Sequence, residues 1–243
     1  MLQLHFRHVD FLRKYFKIKM EVDMKKSGFT LAEVLITLGI IGVVAAITLP
    51  TMIKNYQKQV TASKLKKVYT VLNQAFKLSE TQHGEYQYWE NAEDIGANEY
   101  FNKYLHPYMK VLKVCNSYYD CKYKNPIPWK LSNGDMYQYS FLSQNSRVAF
   151  IVTDGILINI FIQSGENYEY IDNKIFVDLN GGEGVNTFGK DVFIFQRTQS
   201  GLIQPYGIGS NQTVTNNTCK NTGEYCALKI MQDGWKIAPD YPW

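Results

Sequence analysis

The sequence predicts an α+β fold in which one long N-terminal helix packs on a small antiparallel sheet. Three observations predict it. An apolar run from Phe29 to Leu49 leads into an amphipathic stripe ending at Phe76, the strand-like segments all fall after residue 147, and an Asp154-Gly155 dipeptide separates two of them. With 243 residues and 45% hydrophobic content, the chain has room for one globular domain of ordinary core size plus N-terminal segments. The expected order is a leader at 1–28, a transmembrane or assembly helix at 29–50, its amphipathic continuation at 51–80 and a globular α+β domain at 81–243.

Between Phe29 and Leu49 the only charged side chain is Glu33. Roughly 20 apolar residues in helical form span about 30 Å of hydrocarbon, so this segment has transmembrane length. No second run of that kind follows Tyr56, and the chain crosses a membrane once at most. Gly39 and Gly42 weaken the helix, and Pro50 removes a backbone donor, so a kink or local end is expected there. Beyond it Tyr56, Val60, Leu65, Val68, Tyr69, Leu72 and Phe76 recur at spacings of three to five, the stripe a helix needs to lie along a sheet. Gly84 is expected to end the rod.

In the body, Phe101, Tyr104, Leu105, Tyr108, Val111 and Leu112 have helical spacing, which predicts a helix over Asn98–Val114 with an irregularity at Pro107. A loop containing Pro126 and Pro128 follows. Strands are expected at Val148–Val152 and Ile156–Ile162, joined by the Asp154-Gly155 turn, then at Lys174–Asp178, Val192–Arg197 and Leu202–Gln204. A short helix from Glu224 to Gln232 is expected to close at Gly234, with the aromatic tail Trp235–Trp243 covering a core edge, the favoured reading, or meeting a partner.

The net charge of +4 resides entirely in residues 1–28, which hold seven basic and three acidic side chains and leave 19 of each in the remainder. A neutral body gives no reason to expect a nucleic-acid partner. Basic residues just before the apolar run favour keeping that end in the cytoplasm, although Lys54, Lys58, Lys64, Lys66 and Lys67 follow it and weaken the contrast. Cys115, Cys121, Cys219 and Cys226 all lie beyond the apolar run. Four cysteines allow three pairings; short loops and an oxidising compartment favour the two local ones, and neither spacing is that of a zinc site. Catalytic motifs are lacking: there is no GxSxG, no HExxH and no phosphate loop, and His83 and His106 are the only imidazoles outside the leader. No catalytic residue is assigned and no enzyme is expected.

The string Lys25-Lys26-Ser27-Gly28, then Phe29-Thr30-Leu31-Ala32-Glu33 and the apolar run, resembles the class III signal of type IV pilins and type II secretion pseudopilins. The resemblance covers about 30 residues and implies a pilin-like fold. It implies cleavage after Gly28 by a prepilin peptidase, N-methylation of Phe29, and a Glu33 carboxylate that neutralises the N-terminal amine of a neighbouring subunit. Two charges unfavourable in lipid become acceptable when assembly pairs them. It further implies that Gly39–Pro50 can lose helicity on assembly. The implied partners are the peptidase, other pilin-like subunits in a filament, an inner-membrane assembly platform and, before assembly, membrane lipid. The implied location is the bacterial inner membrane, single-pass with a periplasmic body, and a cell-surface filament afterwards. The leader is long for such a signal, and translation from Met24 would shorten it to Met-Lys-Lys-Ser-Gly. An ordinary secretory signal cut near Val44–Ala46 is disfavoured by the charge at Glu33.

Two alternatives stay open. The loop carrying Asp178, Asn180 and Asp191 offers oxygen ligands around flexible glycines, as calcium loops do, and some pseudopilins carry calcium in sheet-side loops; it meets the EF-hand pattern only in part, and a Gly-rich strand connection is favoured. No cofactor is otherwise expected. The second alternative is a membrane-anchored periplasmic binding or enzymatic domain that never polymerises.

Overall fold

The computed structural model describes residues 28–142, 146–162, 174–184, 186–198 and 200–243. The chain divides into two compact units, 1–52 and 53–243. One helix, α1 (Leu31–His83, 53 residues), contributes to both, and Pro50 lies inside it. The expected local end at Pro50 is therefore corrected: one missing donor is a small loss to a helix carrying backbone bonds over so many turns.

In the first unit the apolar side chains of α1 are exposed, from Leu31 through Leu35, Ile40 and Ile47 to Leu49. The helix is long and apolar enough there to cross a membrane. Thr37 donates to the Val34 carbonyl at 3.0 Å and Thr48 to the Val44 carbonyl at 2.9 Å, so both hydroxyls are satisfied within the helix.

In the second unit α1 buries Ala62, Leu65, Val68, Leu72, Ala75, Phe76 and Ser79. Tyr56, placed on the same stripe by the sequence, is 67% exposed, so the packed face begins later than predicted. Gly84, at φ 81°, donates to the Glu80 carbonyl at 2.9 Å and ends the rod. Two helices follow, α2 (Ala92–Ile95) and α3 (Ala97–Tyr104), the latter burying Tyr100, Phe101 and Tyr104.

Among the described residues six strands form one sheet: β1 (Val111–Cys115), β2 (Arg147–Val152), β3 (Leu157–Phe161), β4 (Lys174–Asp178), β5 (Val192–Arg197) and β6 (Ile203–Pro205). Each pairs antiparallel with the next in chain order, a pure meander. β1 corrects the predicted helix over Asn98–Val114. Helix α3 stops at Tyr104, Pro107 sits in a 3₁₀ turn at His106–Tyr108, and Val111 and Val114 pair with Val152 and Phe150. β-branched residues after a proline favour the pleated strand, and helical spacing over so short a span was coincidence. A register shift between Val111 and Lys113 distorts this edge strand, which hinders pairing with another chain.

The inner strands β2–β5 are buried on both faces. Val148, Phe150, Ile158, Ile160, Ile175, Val177, Phe193 and Phe195 join the α1 and α3 side chains in one cluster. Their sequence neighbours Ala149, Leu157, Phe176 and Ile194 join Tyr123, Trp129, Tyr137 and Phe141 in a second. The loop expected around Pro126 and Pro128 is thus an aromatic cover for the second face. It is tied on by Asn159, whose buried amide donates to the Phe141 carbonyl at 2.6 Å and accepts from Arg147 Nη1 at 3.3 Å.

The chain closes with α4 (Gln212–Asn221) and α5 (Cys226–Gln232). The polar α4 was not predicted, and α5 begins two residues later than expected. The β2–β3 turn holds Asp154 and Gly155 at φ 68° and 71°, the left-handed conformation for which that dipeptide is suited. Lys67 of α1 meets Asp154 at 2.6 Å.

Candidate functional site at the head of the long helix

Phe29 is 85% exposed, and Gly28 has open space where a side chain would stand. The peptide bond between them is accessible. Thr30 is the N-cap of α1: its hydroxyl accepts from the Glu33 amide at 3.2 Å, and the Glu33 carboxylate accepts from the Thr30 amide at 2.8 Å and from its hydroxyl at 3.0 Å. This reciprocal pair is a capping box, which satisfies two of the donors a helix start leaves open. The signal was present in the sequence as Thr30-Leu-Ala-Glu33, a Ser/Thr followed three residues later by Glu, and reading Glu33 only as a membrane charge missed it. In the single chain Glu33 holds its own helix start, its carboxylate bonded to the amide of the residue that follows exposed Phe29. Lys25, Lys26, Ser27 and Met24 lie outside the described residues, as do His5 and His8.

Residues 23–49 match the prokaryotic N-terminal methylation motif, and residues 51–243 match a family of unknown function, DUF6613. The chain belongs to that family. No curated protein and no solved structure matches it. The methylation motif spans Gly28, Phe29, Glu33 and the apolar run, and shows a type IV pilin or pseudopilin-like prepilin signal. The long helix and the six-stranded sheet give this DUF6613 chain the α+β pilin-like architecture. The motif and the apolar helix fit a membrane-anchored, single-pass protein of structural type.

In the body, Cys115 is bonded to Cys121 and Cys219 to Cys226, and both pairs are buried. Asp178, Asn180 and Asp191 do come together. Asp178 Oδ2 accepts from the Tyr123 hydroxyl at 2.6 Å and Oδ1 from the Asn180 amide at 3.2 Å. With its amide nitrogen turned inward, Asn186 donates to Asp178 Oδ2 and the Gly181 carbonyl, each at 3.2 Å. Asp191 accepts from the backbone amides of Asn186 and Thr187 at 3.0 and 2.5 Å and from the Asn180 side chain at 3.3 Å. All four carboxylate oxygens therefore have protein donors. Burial pushes the Asp178 carboxyl well above the usual range and raises Asp191 as well. Among the described residues no group of three or more His, Cys, Asp or Glu is arranged to hold a metal ion.

His83 and His106 both sit among aromatic rings. The His83 ring shares a hydrogen bond with the Tyr108 hydroxyl at 3.1 Å and meets the Tyr104 ring edge-on, and His106 packs against Phe101. Glu93 and Asp94 occupy the first turn of α2.

Proposed function

We propose that this protein is a structural subunit of a type II secretion pseudopilus or a type IV pilus-like filament, cut after Gly28 by a prepilin peptidase and N-methylated at Phe29. The observation that carries the reading is the methylation motif at residues 23–49, aligned with an exposed Gly28–Phe29 bond and an exposed apolar helix. An exposed apolar surface of that size needs a lipid or protein cover. The proposed sequence is lipid first, with the body in the periplasm, then the helices of neighbouring subunits as the assembly platform builds the filament.

Within the filament Glu33 is the assembly residue. Its capping bonds release one carboxylate to the Phe29 amine of an adjacent subunit, so that each charge enters the apolar filament core compensated. The paired disulfides suit an oxidising compartment outside the cytoplasm.

The experiment is intact-mass and N-terminal peptide mass spectrometry on protein from native membranes, with and without reductant. The expected product begins at N-methylated Phe29 and gains about four hydrogens on reduction of its two disulfides. A chain that keeps Gly28, or one cut near Ala46, would overturn the reading in favour of a membrane-anchored or secreted domain that does not polymerise.

A further inference from the structure

Lys58, Trp235 and Lys236 line one cleft of the second unit, about 530 Å3 in volume, together with Asn55, Gln59 and Ser63. No acidic side chain lines it. Neither lysine has a hydrogen-bond or ion-pair partner among the described residues, whereas Lys64, Lys67, Lys103, Lys113, Lys122 and Lys229 all do. The two cations share this wall uncompensated.

Trp235 reaches the cleft by an unusual backbone. It stands at φ 61°, a conformation that bulky side chains rarely adopt and that costs on the order of 1–3 kcal/mol. Its amide donates to the Ile230 carbonyl at 2.8 Å, closing α5, and its ring lies 5.0 Å from that of Tyr69 on α1. The indole is thereby fixed on the side of α1 and left partly exposed in the cleft that the two lysines line.

Position along α1 supplies the occupant. The apolar run ends at Leu49, exposed Met52 and Ile53 continue its apolar surface past Pro50, and Lys58 follows Ile53 by five residues. At about 1.5 Å per helical residue that is roughly 7–8 Å of axis, comparable to a headgroup layer of roughly 5–8 Å on each side of the hydrocarbon. Tryptophan and lysine are the side chains that settle at this level, the indole at the interface and the ammonium on phosphate.

We propose that the Lys58–Trp235–Lys236 cleft is a docking surface for anionic membrane phospholipid, occupied while the subunit resides in the bilayer. The proposal rests on the membrane-anchored reading above. The two lysines meet headgroup phosphates and Trp235 lies at the lipid interface. Leaving the bilayer for a filament then requires these contacts to be given up.

The test uses the full chain in nanodiscs of phosphatidylcholine alone or with added phosphatidylglycerol, in both cases carrying bromine on the acyl chains just below the headgroups to quench nearby tryptophan. The Trp235 contribution is the difference from Trp235→Phe, and hydrogen exchange at residues 233–239 gives a second readout that needs no substitution there. Expected is quenching and protection about twofold or more greater with the anionic lipid. Lys58→Glu and Lys236→Glu each lower the docked-to-undocked ratio more than fivefold, while Lys190→Glu on another surface leaves it unchanged. Equal signals in both lipids, unmoved by the reversals, overturn the docking surface while the membrane reading stands. Protection that appears only with two chains per disc overturns it in favour of a contact between copies. Failure of the chain to co-purify with the discs overturns both.

Discussion

Asn73 of α1 pairs with Ile203 of β6 as a strand would. Its amide nitrogen donates to the Ile203 carbonyl at 3.0 Å and its carbonyl oxygen accepts from the Ile203 amide at 3.0 Å. A third bond, to the Tyr69 carbonyl at 3.0 Å, fixes the side chain on its own helix. The last strand of the sheet is thus anchored directly to the long helix, and part of an otherwise open edge is covered. Asn73→Ala leaves both backbone groups of Ile203 without their partner, at a cost of about 1–3 kcal/mol. Urea unfolding of the disulfide-intact chain measures it, and a change below about 0.5 kcal/mol would contradict the anchoring role.

Leu72 and Tyr56 separate the packed from the unpacked part of the sequence stripe. Leu72 is fully buried, so Leu72→Ala is expected to cost about 2–5 kcal/mol. Tyr56, two-thirds exposed, is expected to change stability by no more than about 0.5 kcal/mol on replacement by Ala. Thermal denaturation of both variants in detergent checks the contrast.

Glu33 has two roles that substitution separates. Glu33→Gln keeps a side-chain acceptor for the Thr30 amide while removing the charge, whereas Thr30→Ala removes the cap and leaves the carboxylate. If the charge serves assembly, Glu33→Gln abolishes filament formation with the chain still membrane-associated, and Thr30→Ala retains assembly at reduced yield. Electron microscopy of sheared cell-surface material, alongside membrane fractionation, reads both. Normal filaments from Glu33→Gln would remove Glu33 from the mechanism.

Asp178 sets a pH dependence whose sign follows from burial. Its carboxyl binds a proton more tightly folded than unfolded, where the value is near 3.8. Above that pH the unfolded chain releases the proton while the folded one keeps it, so stability falls as pH rises, by up to about 1.4 kcal/mol per pH unit, until the raised folded value is passed. Asp178→Asn is expected to flatten this slope above about pH 4 relative to the parent. Asp154, lowered by its bond to Lys67, contributes in the opposite direction and is common to both proteins. Equal slopes in the two would rule out a proton held at Asp178.

Gly182 is required by the Cys115–Cys121 loop. A Cβ there would stand 2.5 Å from the carbonyl oxygens of Cys121 and Lys122. Gly182→Ala must push the 178–192 connection off the disulfide loop, at a cost of about 1–3 kcal/mol. Breaking the disulfide by replacing both cysteines with Ser costs about 2 kcal/mol through loop entropy. Because the replaced loop can yield, the double-cysteine variant is expected to tolerate Gly182→Ala better than the parent does, a non-additivity that a double-mutant cycle measures.

Elements with strong local signals were legible from the residues alone. Periodicity over α1, the Gly84 stop, the β-branched runs of β2, β4 and β5, and the Asp154-Gly155 turn need only the backbone preferences of their own residues. The registered string from Lys25 to Glu33 pointed to the processing site for the same reason, since a peptidase reads a linear segment. Tertiary structure decided the rest. β1 carries helical spacing yet pairs with β2, because a half-buried edge beside Phe150 stabilises Val111 and Val114 more than a helix past Pro107 would. Polar α4 was illegible because its burial is carried by Thr215 and Cys219, the latter disulfide-bonded to Cys226 at the start of α5. Likewise, the meeting of Asp178 with Tyr123 and of Lys58 with Lys236 brings together residues 55 and 178 positions apart. Such contacts depend on chain closure, and no local preference encodes them.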